Sequence, residues 1–513
     1  MSRQRTREQQ RLDLPPNLSR LRVAEPKAGD RDLSRRAVRG GTLTVTTQIV
    51  KFVVQTASTI LLARLLLPED FGLLAMVLVF TTLAGILKDL GLTTATLQTP
   101  TITQGQASNL LWINVALGSG IALAFAASAP LVARFYGEPA VVEIMLVLAP
   151  IFILNGLTAQ HLALMRRAMS YGRVAVIELG GQVTAATVAI TMASIGFGYW
   201  SLVALQALGA PVVLILAWTL SGWRPSRPTR GQGIRQLLSF GGYLTGFTFL
   251  NYFTSQADKA LIGWALGAGS LGIYTKAYNL FQLPMRQLNP PIGAVALPTL
   301  SRLRSVPEEY RRTYLRTVVL LAYLSMPGIA VAAGAADLAI PVILGGQWTP
   351  SAPVFRYLAL GGILGPVLWT AGWVHQSLGR ADRQFRWSII SDPLYVLSFF
   401  VGFRWGIEGV ALAFAITVAA LFIPTMHYAL APSVVRTGEV VRAISRPLTL
   451  SIALFATMRL TLSRVGLDGP QGLVALLGIA VVTCLVALLV WKGLRDEVRQ
   501  QIRAVRHLRA RSA

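Results

Sequence analysis

Stretches of about 20 or more mostly apolar residues recur fourteen times along the chain, separated by short polar connectors. A helix of that length is what crosses a hydrocarbon core of about 30 Å. The chain has 513 residues, of which 53% are hydrophobic and 13% charged, a balance that water-soluble domains of this size do not show. The expected fold is therefore an all-α polytopic membrane protein with about 14 transmembrane helices. The lone cysteine, Cys484, lies inside an apolar run, so no disulfide framework exists and the thiol reads as packing. The 4 histidines are not spaced as metal ligands, and neither a metal nor a cofactor is expected.

Arginine and lysine set the orientation, because they concentrate in cytoplasmic connectors. The basic clusters are the first 40 residues, "MRRAMSYGR", "WRPSRPTRGQGIR", "RLRSVPEEYRRTYLR", "GRADRQFR", "VVRTGEVVRAISR" and the C-terminal tail. With fourteen spans all of them fall on one side, and the opposite connectors, "LPED", "YGEPAVV", "GAGS" and "LAIPVILGGQWTPS", carry almost none. Both termini are expected in the cytoplasm. The formal charge of +25 is spread over short loops, where each basic residue gains about 1 kcal/mol from anionic lipid; that distribution argues for lipid contact and against nucleic acid. Residues 1–40 lack the apolar core of a signal peptide and read as a disordered cytoplasmic arm.

The chain also writes one turn twice. "LLARLLLPEDFGLLAM" (Leu61 to Met76) lines up with "LIGWALGAGSLGIYTK" (Leu261 to Lys276) at an offset of 200, Gly72 falling on Gly272. "GFGYWSLVALQAL" from Gly196 lines up with "RWGIEGVALAFAI" from Arg404 at an offset of 208. Two matches at nearly one offset indicate a duplicated half. Each half holds six spans, so the copies share one orientation and are related by a pseudo-two-fold axis along the membrane normal. The expected domains are the arm 1–40, a six-helix bundle 41–221, a linker 222–235, a second six-helix bundle 236–430, two further helices within 431–491, and a basic tail 492–513. In the second bundle the eighth span, 269–299, contains Pro284, Pro290 and Pro291 and is expected to be kinked or split. Two such bundles are the architecture of an alternating-access transporter, with its site between the halves.

"KDLGLTTATLQ", "DKALIGWALGAGSLGIYTKAYNLFQLP", "YGEPAVVEIMLVLAPIFILNGLTAQHLALMRRAMSYGRVAVIELGG" and "GIEGVALAFAI" together resemble the polysaccharide transporter family. That family contains the Wzx-type and colanic-acid-type flippases of the multidrug/oligosaccharidyl-lipid/polysaccharide superfamily. The resemblance covers about residues 36–430. It implies movement of an undecaprenyl-pyrophosphate-linked oligosaccharide from the cytoplasmic to the periplasmic leaflet of the bacterial inner membrane, and a monomer that works beside polysaccharide polymerase and export machinery. Such cargo calls for fixed cations among amides and hydroxyls.

Side chains three, four and seven apart share a helix face. Thr44, Gln48, Lys51, Gln55 and Ser58 form a polar stripe on the first span, and Thr248, Asn251, Ser255 and Asp258 repeat it on the seventh. Lys51 lies about 15 Å along its helix, where a lone lysine costs at least ~2.5–3.5 kcal/mol. It must face a water-filled cavity or pair with an acid that the sequence does not place. Thr275, Asn279, Gln282, Arg286 and Asn289 form a third stripe, in which Arg286 has the planar fork that suits phosphate unless it only anchors a kinked helix end. Lys88 and Asp89 point about 100° apart and are candidates for substrate contact or packing. Asp258 and Lys259 are either cavity residues or interfacial. Glu178 and Asp392 are intramembrane acids able to hold a coupling proton or sodium ion, although Asp392 beside Pro393 equally suits backbone freed by the proline. His161 and His375 read as interfacial residues near helix ends.

No P-loop, nucleophile elbow or soluble domain of catalytic size is present, and the longest periplasmic connector is about 14 residues, so an enzyme is not expected. The rival is a cation-coupled multidrug or small-solute exporter of the same fold. Fourteen-span exporters of the major facilitator type are disfavoured by the uncharged "TPTITQGQASN" after the second span. Lys51 and Arg286 favour an anionic cargo over a cationic drug.

Overall fold

The computed structural model describes residues 31–88, 96, 102–229, 235–493 and 495, with the side chains of 31–40, 87–88 and 235–251 outside that description. The described residues are helical apart from short connectors, the outcome that hydrocarbon imposes on a backbone with no water to bond. The first compact unit, Met1–Gly269, contains α1 (Arg31–Leu65), α2 (Pro68–Lys88), α3 (Gln104–Tyr136), α4 (Ala140–Leu148), α5 (Pro150–Arg167), α6 (Tyr171–Ser194), α7 (Tyr199–Ala207) and α8 (Gly209–Ser221). It also holds the first part of α9 (Arg235–Leu303). The second unit, Ser270–Ala513, contains the rest of α9, then α10 (Pro307–Leu344), α11 (Ser351–Gly362), α12 (Gly365–Ser377), α13 (Ala381–Gly402), α14 (Gly406–Leu430), α15 (Thr437–Val465) and α16 (Gly469–Val490).

Among the described residues ten helical stretches are long and apolar enough to cross a membrane, or eleven when α11 and α12, bent by 42°, count as one. α4 with α5, and α7 with α8, each form one such stretch. The protein is a multi-pass membrane protein. The stretch 381–430 spans 50 residues and α9 runs for 69, both far beyond the ~20 residues that one crossing needs.

The repeated turn is visible in the backbone. α1 stops at Leu65 and α2 starts at Pro68, with the Leu67 amide donating to Asp70 Oδ2 at 2.9 Å and so capping the first turn of α2. Two hundred residues after Leu67, Gly267 breaks α9 with φ 78° and ψ 179°, a conformation open to glycine and costly for other residues. The second repeat has the same signature: Gly198 (φ 52°, ψ −135°) precedes α7 and Gly406 (φ 68°, ψ −157°) opens α14. They are 208 residues apart, the offset that the sequence match gives.

Two expectations need correction. Of the two outcomes expected for the eighth span, kinked or split, the split is excluded: α9 keeps helical dihedrals through Pro284, Pro290 and Pro291 and leaves them at Gly267, because neighbouring helices and local adjustment let membrane helices tolerate proline. "LAIPVIL" is not a connector, because α10 continues to Leu344 with Pro341 inside it. The connector begins at Gly345, followed by a short 3-10 turn over Gly346–Trp348.

Packing joins helices distant in sequence. Within the first unit, the Tyr252 hydroxyl donates to the Val79 carbonyl, and the backbone of Ala268 lies so close to Gly72 that a side-chain carbon there would sit 1.7 Å from its carbonyl oxygen. The connector after α8 is tied to α3: Ser226 N donates to Ser108 Oγ at 2.9 Å, Thr229 N to Asn109 Oδ1 at 2.9 Å, and Trp112 Nε1 to the Ser226 carbonyl at 2.9 Å. In the second unit, Leu454, Met458, Leu476 and Ala480 pack with Ala335 and Leu338, fixing α15 and α16 to α10. The outward side of α16 stays apolar and open, Leu489 being 73% exposed, as suits a lipid-facing helix.

Gly72→Leu is expected to lower the thermal unfolding midpoint of the detergent-purified protein by several degrees, since α2 and Ala268 must separate. Gly85→Leu, where an added carbon meets nothing within 4 Å, should leave it unchanged. Equal midpoints for both variants would show that the Gly72 contact does not matter to the fold.

Candidate functional site

The described part of the first unit brings Lys51 to its acid. α6 buries Val174 and Ile177 against Met165 of α5 and Ala217 of α8. Glu178 follows Ile177 by one position, hence about 100° around the helix, and faces α1. Its Oε2 accepts from Lys51 Nζ at 3.0 Å, and its Oε1 accepts from Arg166 Nη2 at 2.7 Å. One turn further along α6, Gln182 Nε2 donates to the Lys51 carbonyl at 2.8 Å, so α6 grips both the side chain and the backbone of Lys51. The three charged side chains are 20–39% exposed.

The sequence left Lys51 either paired or facing a cavity, and the geometry shows it paired. One carboxylate is shared by two cations, and the cluster keeps one unit of positive charge. The shared carboxylate lowers the desolvation cost of holding two cations at this depth. Arg167, next to Arg166 at the end of α5, donates from Nη1 to the Thr96 carbonyl at 2.7 Å. The buried Gln160 and Thr96 hydrogen-bond each other at 3.2 Å. The cluster is thus two cations and a carboxylate, with the Gln182 amide beside it. Such a set favours an anion with several acceptor oxygens.

Other candidates fall differently. Gln48 and Gln55 are exposed. Thr248, Asn251 and Lys88 have side chains outside the described ones, and Asp89 lies outside the described residues. Ser255 is exposed, and its hydroxyl donates to the Tyr252 carbonyl at 2.9 Å. Asp258 is buried and accepts from the Lys259 amide at 2.8 Å, while Lys259 Nζ donates to Gln256 Oε1 at 2.9 Å. In the second unit, Asn279 and Arg286 are exposed, Gln282 donates to the Tyr278 hydroxyl at 2.8 Å, and Asp392 accepts from Ser391 Oγ at 3.2 Å. His161 and His375 are not exposed at helix ends but buried. His161 Nδ1 lies 2.9 Å from Ser221 Oγ, between the rings of Trp218 and Trp223.

Two residues were passed over in the sequence. Arg166 lies in the "MRR" cluster, where the topology rule absorbs every basic residue. Lys276 is 5% exposed, with its ammonium 4.8 Å from the Trp348 ring centre, a cation–π geometry. Its signal was depth, the same one that singled out Lys51.

The family described as polysaccharide biosynthesis protein matches residues 61–353, more than half of the chain. The chain belongs to that family. It is 27% identical over 339 residues to the teichuronic acid biosynthesis protein TuaB of Bacillus subtilis strain 168, covering 64% of this chain and 68% of that protein. It is 25% identical over 360 residues to the lipopolysaccharide biosynthesis protein WzxC of Escherichia coli K12, covering 69% and 72%. In fold it is similar to the lipid II flippase MurJ in an inward closed conformation, with a TM-score of 0.68 at 11% identity over 88% of this chain and 99% of that one.

A double-mutant cycle checks the pairing. Lys51→Met and Glu178→Gln should each lower stability, and the double variant should lose less than their sum, with a coupling of about 0.5–1 kcal/mol for such part-exposed groups. Strict additivity would mean that the pair does not form.

Proposed function

We propose that the protein moves a polyprenyl-pyrophosphate-linked oligosaccharide from the cytoplasmic to the outer leaflet of a bacterial inner membrane by alternating access. The observation that carries this reading is the Lys51–Glu178–Arg166 cluster: fixed, net positive, and open enough to be reached. The pyrophosphate is the one part of such a cargo that every variant shares, whatever its sugars, and a charge-assisted contact to it gives a hold that does not depend on sugar identity. The names of the relatives, a teichuronic acid and a lipopolysaccharide biosynthesis protein, and the fold of a lipid II flippase support the same direction.

The architecture that goes with this reading has fourteen spans. The described helices accommodate it when α9 counts as two spans, broken at Gly267, and α13 and α14 as one each. The two six-span halves and the appended α15 and α16 follow, with the basic connectors and both termini in the cytoplasm. Arg286, Asn279 and Gln282 are candidates for later contacts along the path, and Asp392 for ion coupling. A polymerase and export machinery would take the product on the far side, and anionic lipid would hold the basic connectors.

In a host deleted for this gene, Lys51→Ala and Arg166→Ala should cut polysaccharide export by about tenfold or more while the proteins stay inserted and abundant, and Lys51→Arg should keep part of it. Lipid-linked oligosaccharide should accumulate in the cells. Normal export from both alanine variants would remove the cluster from the transport path. For topology, a reporter active in the periplasm alone, fused after Ala513, should stay silent; activity would invert the orientation.

A further inference from the structure

The second unit holds an open cavity of about 540 Å³ at one end of α12, α13 and α14, lined also by α9. That volume falls in the range of small-molecule sites, about 300–1,000 Å³. On α12, Trp369, Gly372, Trp373 and Gln376 recur at the three- and four-residue spacing of one helix face. On α13, Gln384, Trp387 and Ser388 do the same, and all seven line the cavity.

Its walls are prearranged. Trp387 stacks on Tyr428 with ring centres 5.1 Å apart at 25°, and its Nε1 donates to Thr425 Oγ1 at 3.1 Å. The Trp373 indole lies directly on Gly293 of α9, where a side-chain carbon would come 3.1 Å from its Nε1. Trp369 is 48% exposed and leaves its ring available. Beside the indoles, the amides of Gln376 and Gln384 converge over the bare backbone of Gly372: a carbon placed there would lie 3.9 and 3.7 Å from their Nε2 atoms. Among the described residues neither amide makes a side-chain hydrogen bond.

We infer that this cavity is a binding subsite for an uncharged sugar ring of the cargo. A lipid tail would offer neither amide a hydrogen-bonding partner. An anion would want guanidinium or ammonium groups, and no lysine, arginine or carboxylate among the described residues lines the cavity. A pyranose matches both kinds of group at once. Its flat C–H face lies on an indole, and its hydroxyls, donor and acceptor together, pair with amides that are themselves donor and acceptor. The cavity opens at the end of the unit that carries Arg380, Arg383 and Arg386, the end that the charge rule assigns to the cytoplasm, where cargo is loaded. This assignment rests on the transport reading above and adds a hold on the sugar to one on the pyrophosphate.

The test uses the full chain in lipid nanodiscs, without glycoside detergent. The probes are the methyl glycosides of glucose, galactose, N-acetylglucosamine and rhamnose, followed by saturation-transfer difference NMR, with inorganic pyrophosphate titrated calorimetrically into the same sample. At least one glycoside should show transfer to its ring protons. Trp369→Ala and Gln384→Leu should weaken that binding by about tenfold, the scale of losing one aromatic platform, and leave pyrophosphate binding intact. Trp405→Ala, at a 70% exposed indole outside the cavity, should change neither. Absence of transfer from all four glycosides, with pyrophosphate still bound, overturns the sugar subsite and leaves the transport reading standing. Transfer that survives both Trp369→Ala and Gln384→Leu overturns it too. Transfer lost in both variants, in a protein that does not bind pyrophosphate, supports the subsite and counts against the cationic cluster instead.

Discussion

A peptide group left unpaired in hydrocarbon costs several kcal/mol, and the fold follows from avoiding that penalty. It makes the described residues helical, and several of their departures from helical geometry fall where a glycine accepts them. Gly267, Gly198 and Gly406 mark such places. Because a backbone turn in a membrane is so constrained, it is among the last features a duplicated chain can change. Side chains between the turns are freer, which is why the repeat survives as conformation at offsets of 200 and 208 while most residue identities have diverged.

The same low dielectric governs the charged residues. A lone Lys51 within an apolar span would be expensive, and pairing it with Glu178 alone would neutralise it. Sharing the carboxylate with Arg166 does both jobs: each cation has a partner, and one positive charge remains. Part of the cost of desolvating two cations is met in the fold itself, so under the proposed function an arriving pyrophosphate would meet groups already held in place. That is preorganisation, which lowers the cost of binding without adding a contact.

The spans, the duplicated turn and the importance of Lys51 were legible because each depends on local pattern: apolar length, a glycine at fixed offset, a charge in the middle of an apolar helix. The partner of Lys51 was not, since Glu178 stands 127 residues away and no periodicity connects α1 to α6. Arg166 was hidden by a rule that works, because basic residues at helix ends do mark the cytoplasmic side whether or not one of them also reaches inward. Prolines in α9 suggested a break that the helix does not make, while the glycine that does break it was already aligned with the first turn. The indoles of the second-unit cavity carried no signal at all. Tryptophan near a helix end is the ordinary mark of a membrane interface, and what sets Trp369, Trp373 and Trp387 apart is a convergence of helices that sequence spacing cannot express.

The duplication read from the sequence would account for a repeated scaffold and leave the chemistry to be divided. Lys51 falls on Asn251 at the 200-residue offset of the first turn, and Glu178 falls on Arg386, of opposite sign, at the 208-residue offset of the second, so the shared carboxylate is not repeated. The three indoles of α12 and α13 likewise lack counterparts at the 208-residue offset, where His161, Met165 and Leu179 stand in the first copy. A cargo with a charged end and an uncharged sugar end asks for this asymmetry. The charged end needs cations that resist hydration and salt, and the sugar end needs flat surfaces with paired donors and acceptors. One site serving both would place amides and indoles around ions they cannot satisfy. Two copies of one helical frame, each free to vary its side chains, allow both demands to be met without altering a turn.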